Sequence, residues 1–308
     1  MARWISTRTG ILQEETDEMS ETLRPRRSVL YMPGANERAL EKAKGIPADA
    51  LILDLEDAVA PDAKADARVR VCAAVQSGEY GAKELTIRIN GLGTDWHEAD
   101  LAAAAAAGPD GIVVPKVNTA AEVALLVDAL EAAGAPPRTK LWAMLETPVA
   151  MLNSADIATA SARLTVLVMG TNDLAKELHA EHVPGRAPLQ YGLQACLMAA
   201  RLAGKVILDG VYNDIKDDEG FRAECVQGSQ FGFDGKTLIH PSQVEPCNDV
   251  FAPSEDEIAS SREIIAAFEE AEAEGRGVVT VNGRMIENLH VDNARRILAV
   301  ADAIAALA

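Results

Sequence analysis

Carboxylates recur just past short apolar runs, and this placement suits metal chemistry. Asp54, Glu56 and Asp57 close the run Ala50–Asp54, Glu146 follows Lys140–Leu145, and Asp173 lies three residues beyond Gly170 at the end of Thr165–Met169. Arg88 and Lys116 stand at the ends of two further runs. Carboxylates that converge without matching cations repel one another unless a metal neutralises them. Oxygen ligands from separate segments, with positions left open for substrate, suit Mg2+ best and Mn2+ second. Glu146 and Asp173 are the expected metal ligands, each close to a Pro or Gly that fixes its loop. Asp54, Glu56 and Asp57 read either as a solvated turn or as groups orienting metal-bound water, and Asp54 counts among the catalytic candidates. Arg88 alternates with Ile87 and Ile89, so on a strand it faces away from them. There it grips an anion, either a neighbouring carboxylate or a substrate carboxylate held by two parallel N–H bonds.

Other signals carry less. His179 and His182 stand three apart, as helical zinc ligands can, but no third ligand is near. Gly235-Lys236-Thr237 imitates the end of a phosphate loop, yet Gln230 occupies the first glycine position and the chain runs on as strand and turn. His240 before Pro241 reads as a structural residue at a strand end.

The elements that must carry these groups are legible from periodicity. Eight apolar runs, Ser28–Met32, Ala50–Asp54, Leu85–Ile89, Gly111–Pro115, Lys140–Leu145, Thr165–Met169, Lys205–Asp209 and Lys236–Ile239, alternate with alanine-rich amphipathic stretches. Eight such strands predict an α/β chain folded as a (β/α)8 TIM barrel, in which active sites form at the carboxyl ends of the strands. No Gly-x-Gly-x-x-Gly follows the first run, which removes the main argument for a dinucleotide fold. Residues 1–25 read as a polar arm, 26–252 as the barrel and 253–308 as a C-terminal extension. In that extension Ser254 caps an acidic helix to about Glu274, Val278–Val281 forms a short strand, Asn282-Gly283 a tight turn and Val291–Leu307 a final helix.

A net charge of −18 argues against nucleic acid as a partner. Anionic ligands must be met locally, and Arg24, Arg26, Arg27, Arg38, Lys42, Lys44, Lys64, Arg68 and Arg70 crowd into the first quarter of the chain. Four scattered cysteines without a C-x-x-C pair fit a reducing cytoplasm, and residues 1–25 hold no apolar run long enough for a signal peptide or membrane span.

Taken together, Arg27-Ser-Val-Leu-Tyr-Met-Pro-Gly34, Leu53-Asp-Leu-Glu-Asp57, Arg88-Ile-Asn90, Pro115-Lys-Val117, Glu146-Thr-Pro148 and Gly235-Lys-Thr-Leu-Ile-His-Pro241 resemble the citrate lyase beta-subunit and malyl-CoA lyase family. The resemblance covers about residues 26 to 307 and implies a Mg2+-dependent barrel, homotrimeric or homohexameric, whose C-terminal segment closes a neighbouring subunit's site. It implies that Glu146 and Asp173 bind Mg2+ and that Arg88 holds the α-oxo acid. It also places the CoA phosphates near Lys64 and Arg68, with Arg27, Gly170, Thr171 and Asn172 as further substrate- and CoA-binding positions. Gly283-Arg-Met-Ile-Glu287 is similar to the family's C-terminal catalytic segment, where malyl-CoA and citramalyl-CoA lyases carry Asp in place of Glu287. Ile286-Glu-Asn-Leu-His-Val291 resembles the branch that includes (3S)-malyl-CoA thioesterases. The expected reaction is cleavage of a 3-hydroxyacyl-CoA such as malyl-CoA to glyoxylate and acetyl-CoA. Hydrolysis to malate and CoA is the alternative, and a non-catalytic subunit serving a carrier protein is the third.

Overall fold

The computed structural model describes residues 24–275 and 279–307; nearly all of the arm expected at 1–25 and Val278 lie outside them. The chain divides into two compact units, one of which is the barrel, Arg26–Phe251. Its elements run β1 (Ser28–Pro33), α1 (Glu37–Ala43), β2 (Ala50–Asp54), α2 (Lys64–Gln76), β3 (Glu84–Arg88), α3 (His97–Ala107), β4 (Gly111–Val114), α4 (Ala120–Ala132) and β5 (Lys140–Leu145). They continue with α5 (Pro148–Leu152), α6 (Ser154–Thr159), β6 (Leu164–Met169), α7 (Thr171–Glu177), α8 (Gln190–Leu202), β7 (Val206–Asp209), α9 (Asp218–Phe231), β8 (Gly235–Leu238) and α10 (Val244–Phe251). All eight strands are parallel, each pairs with the next, and β8 returns to β1 to close the barrel. The eight runs read from periodicity are these strands, with ends shifted by a residue or so.

Side-chain parity sorts the strands into two cores. Val29, Ala50, Ile52, Val113, Trp142, Met144, Val166, Val168 and Leu208 fill the lumen. The alternate residues, among them Leu30, Leu51, Leu53, Ile87, Ile112, Leu141, Leu145 and Leu167, form the layer shared with the helices. Burying each such side chain is worth about 1.5–3 kcal/mol, which makes this double core the main stabilising feature. Lumen parity has a consequence for chemistry. Extending Ala50-Ile52 by two residues reaches Asp54, extending Trp142-Met144 reaches Glu146, and extending Val166-Val168 reaches Gly170, so these residues continue the lumen side at the carboxyl end.

The opposite, amino-terminal end is closed by ion pairs. Arg26 grips Glu84 at 2.6 and 2.7 Å, and Arg27 grips Asp49 at 2.9 and 2.8 Å. Arg27 precedes β1 and Asp49 precedes β2, so this pair belongs to the end of the barrel that contributes stability. The expectation of Arg27 at the CoA site is corrected here: its guanidinium is bound to Asp49 at the end remote from Glu146.

The C-terminal unit carries α11 (Glu255–Ala273), a two-stranded hairpin of β9 (Val279–Val281) and β10 (Arg284–Ile286), and α12 (Asn288–Ala305). Ser254 and Glu257 form a capping box on α11. Asn282 and Gly283 turn the hairpin with φ of 49° and 76°, the left-handed pair a two-residue turn requires. The last helix starts at Asn288, three residues before the expected Val291, because the Glu287 N–H donates to His290 Nδ1 at 3.0 Å and caps an earlier turn. Among the described residues no helix is long and apolar enough to cross a membrane.

Candidate active site at the carboxyl rim of the barrel

Asp54 and Arg88 are register partners on adjacent strands, which explains their meeting. Arg88 Nε donates to Asp54 Oδ1 and Nη2 to Oδ2, both at 2.7 Å, while Nη1 lies 2.8 Å from Glu56 Oε2. The guanidinium also sits over the Tyr31 ring, 4.8 Å from its centroid. Burial works against the charge on Arg88, but Asp54, Tyr31 and Glu56 outweigh it and hold the guanidinium ionised. Asp54 is 1% exposed, and its oxygens also accept from the Glu56 and Ala58 N–H groups at 2.9 and 3.0 Å. With every lone pair directed at protein donors, Asp54 positions Arg88 and the β2 loop; it has none to offer a metal-bound water. Its expected catalytic role is thereby corrected to a positioning one.

Glu146 stands at the end of β5, 2% exposed, and its Oε1 accepts from the Lys116 N–H at 2.8 Å. Gly170, at the end of β6, leaves room for it: a Cβ there would lie 2.2 Å from Glu146 Oε2. Asp173 follows in the first turn of α7. Lys116 Nζ is 3.7 Å from Asp173 and 4.0 Å from Glu56, so carboxylates from two strand ends flank the ammonium while Glu146 accepts from the backbone N–H of the same residue. Burial first, then Glu56 and Asp173, pushes Glu146 up to about 7. Burial likewise raises Glu56 to about 7, against the pull of Arg88. This rim holds more negative charge than its cations offset. Among the described residues no three His, Cys, Asp or Glu side chains are placed to hold a metal. Glu146 and Asp173, at the ends of adjacent strands, are oxygen-bearing side chains of the kind a hard cation takes while it keeps water and substrate in its remaining positions.

The other expected positions divide. Thr171 is buried at the start of α7, beside a cavity of about 460 Å3 that Arg186, Tyr212, Asn213 and Glu224 also line. Asn172 exchanges amide hydrogen bonds with Asn213 at 3.0 and 2.7 Å. Lys64 turns inward, is 5% exposed, and donates to the Leu55 and Glu56 carbonyls at 2.8 and 2.9 Å beneath Trp96. It holds the loop after β2, so its expected contact with CoA phosphates is corrected. Arg68 Nε is bound to buried Asp100 at 2.6 Å, with its side chain 18% exposed. Of the same basic stretch, Arg38 and Lys42 on α1 remain exposed. Lys236, in the sequence that imitates a phosphate loop, is fully buried between Asp209 and Glu224 at 3.1 and 2.7 Å. Both His179 and His182 are exposed, while His240 accepts from the Ser242 N–H. Glu287 is exposed where the chain enters α12.

A closed parallel barrel that gathers carboxylates and a buried, oriented arginine at its carboxyl rim has the architecture of the TIM-barrel enzymes, whose active sites lie at that face. The chain belongs to the HpcH/HpaI aldolase/citrate lyase family, whose model matches residues 27–241. A second model, the C–C bond lyase of the TIM-barrel fold, matches residues 191–305. The (3S)-malyl-CoA thioesterase of Cereibacter sphaeroides is 54% identical over 289 residues, 94% of this chain and 99% of that protein. The citrate lyase subunit beta of Escherichia coli is 37% identical, over 91% and 94%. Among solved structures, CitE from Mycobacterium tuberculosis in complex with magnesium, acetoacetate and coenzyme A superposes with a TM-score of 0.73 at 29% identity, covering 89% of this chain and 97% of that one.

Proposed function

We propose that this chain hydrolyses the thioester of a malyl-CoA-type 3-hydroxyacyl-CoA, using Mg2+ held by Glu146 and Asp173. The observation that carries the reading is near end-to-end similarity to a protein named for that reaction, at 54% identity against 37% for the citrate lyase subunit. The rim supports it. When bound, Mg2+ supplies Lewis acidity toward the oxygens of the malyl group. Arg88, locked by Asp54, directs its remaining N–H bonds at the same oxygens, fixing the acyl end in register. Glu287 takes a proton from water as the water oxygen bonds to the thioester carbonyl carbon, and the C–S bond breaks as that proton passes to the leaving sulfur, releasing malate and the CoA thiol. Glu287 is proposed to act on a neighbouring subunit's barrel in a homotrimer or homohexamer. Arg68 and the exposed Arg38 and Lys42 are the cations proposed to meet the CoA phosphates.

The second reading is carbon–carbon cleavage of the same substrate to glyoxylate and acetyl-CoA, with Glu287 returning a proton to the acetyl-CoA enolate. The lyase model that spans residues 191–305, Glu287 included, favours it. Product analysis separates the two: malate with free CoA is expected from purified chain, malyl-CoA and Mg2+, and Glu287→Ala should lose that activity. Glyoxylate with acetyl-CoA would replace hydrolysis by lysis as the main reaction. If malyl-CoA, citramalyl-CoA and methylmalyl-CoA all remain untouched, a stand-alone enzyme is ruled out.

The raised carboxyls set a pH dependence. Glu146 and Glu56 move from their usual 4.5 to about 7 on folding, so the folded chain holds these protons more tightly than the unfolded one. Their contribution to the stability of the metal-free protein is present below pH 4.5 and lost as the pH rises through about 7. Mg2+ needs Glu146 ionised, so it is expected to bind more weakly at pH 6 than at pH 8 and to release protons as it binds. Calorimetric titrations in buffers of different ionisation heat measure both. Equal affinity at the two pH values, without proton release, would count against Glu146 as a ligand.

A further inference from the structure

Lys116 is held in a conformation that a solvated surface lysine does not need. Its φ is 53°, in the left-handed region that costs a non-glycine residue on the order of 1 kcal/mol or more. That backbone serves a geometry. It aims the Lys116 N–H at Glu146 Oε1, 2.8 Å away, and sends the side chain across the rim so that Nζ lies 3.7 Å from Asp173 and 4.0 Å from Glu56. One residue thus touches both members of the metal pair, one through the backbone and the other through the ammonium.

We infer that Lys116 is a positioning residue that serves as a built-in stand-in for the divalent cation, spacing Glu146 and Asp173 when the ion is absent and weakening the ion's hold when it binds. The inference rests on the metal pair proposed above. The ammonium faces an Asp173 oxygen, so a cation entering between Glu146 and Asp173 must displace it or share that carboxylate with it. The ammonium is free to move, since its side chain is 44% exposed and its own attachments at the rim are ion pairs near 4 Å. The backbone arm is unaffected by that movement and keeps Glu146 aimed in either state.

The test removes the ammonium and leaves the backbone. Lys116→Asn is uncharged and tolerates the left-handed conformation; Lys116→Gly tolerates it further. Mg2+ affinity is measured by calorimetry, and melting temperature with and without the ion, for wild type, both variants and Lys140→Gln. That control makes the same charge change at the amino end of β5. Both Lys116 variants are expected to bind Mg2+ about tenfold more tightly, the effect of a unit charge near 4 Å screened by partial exposure. Lys140→Gln should bind as wild type does. The Lys116 variants should also gain more melting temperature on saturation with Mg2+ than wild type gains, which loss of a purely structural side chain would not do. Variant affinities within twofold of wild type, or equal to those of Lys140→Gln, overturn the inference and leave the metal pair standing. A wild-type chain that binds no Mg2+ removes the metal pair and this inference together.

Discussion

Glu146→Ala is expected to leave a folded protein with about a thousandth of the wild-type turnover. Removing a ligand from a pair leaves one carboxylate to hold the ion, and the Lewis-acid contribution at stake is several kcal/mol, roughly three powers of ten in rate. The stability effect should have an unusual sign. Glu146 is a buried carboxyl pushed up by desolvation and by Glu56 and Asp173, so above pH 7 it is an unfavourable charge in the metal-free protein. Its removal relieves that repulsion while leaving the Lys116 N–H without its acceptor, two effects that oppose each other. Melting without metal should therefore change little. Melting with Mg2+ should rise in wild type and stay flat in the variant, and Asp173→Ala should behave alike. Near wild-type turnover in either variant, after chelation and readdition of Mg2+, would exclude this pair as the catalytic metal site.

The barrel and the rim were legible because both follow from period. Alternation along Ala50–Asp54 and Lys140–Leu145 places Asp54 and Glu146 on the lumen side at the strand ends, and a sequence displays that alternation directly. Arg88 could be oriented for the same reason, although its anionic partner could not be chosen until the register set it beside Asp54. The basic stretch was another matter. Composition collects Arg27, Lys64 and Arg68 into one patch, but Arg27 precedes a strand and is bound at the amino end, while Lys64 is drawn inward by two carbonyls of the loop after β2. Proximity in sequence says nothing about which end of a strand a residue serves. Glu56 was legible as a group that could orient metal-bound water and Lys116 only as a residue type at a strand end; the contacts that each makes were not. The left-handed backbone that turns Lys116 toward Glu146 leaves no compositional trace, and the burial that raises Glu56 depends on the closed barrel. The early start of α12 rests on a local bond to His290, a side chain that ordinary helix-start patterns do not include.

Arg88→Lys should fail badly although it preserves charge. The guanidinium meets Asp54 with two parallel bonds of 2.7 Å, reaches Glu56 with a third nitrogen at 2.8 Å and lies over Tyr31 at 4.8 Å. A lysine ammonium is one point with three donors on a flexible stem, so it cannot hold both Asp54 oxygens and Glu56 in a common plane while presenting donors to substrate. Asp54 would keep its backbone donors from Glu56 and Ala58 but lose its bidentate partner at a 1% exposed position. The expected loss in kcat/KM is about 2–4 kcal/mol of transition-state stabilisation, roughly thirty- to thousandfold, comparable to deleting a donor from an oxyanion site. Asp54→Asn should lose less, because it leaves the guanidinium in place with one neutral acceptor. Mg2+ binding should survive in both variants, since neither touches Glu146 or Asp173, and this separates loss of substrate orientation from loss of the ion. Should Arg88→Lys retain more than a third of wild-type kcat/KM, Arg88 would be a structural partner of Asp54 alone, and the malyl group would have to be oriented by other residues of the rim.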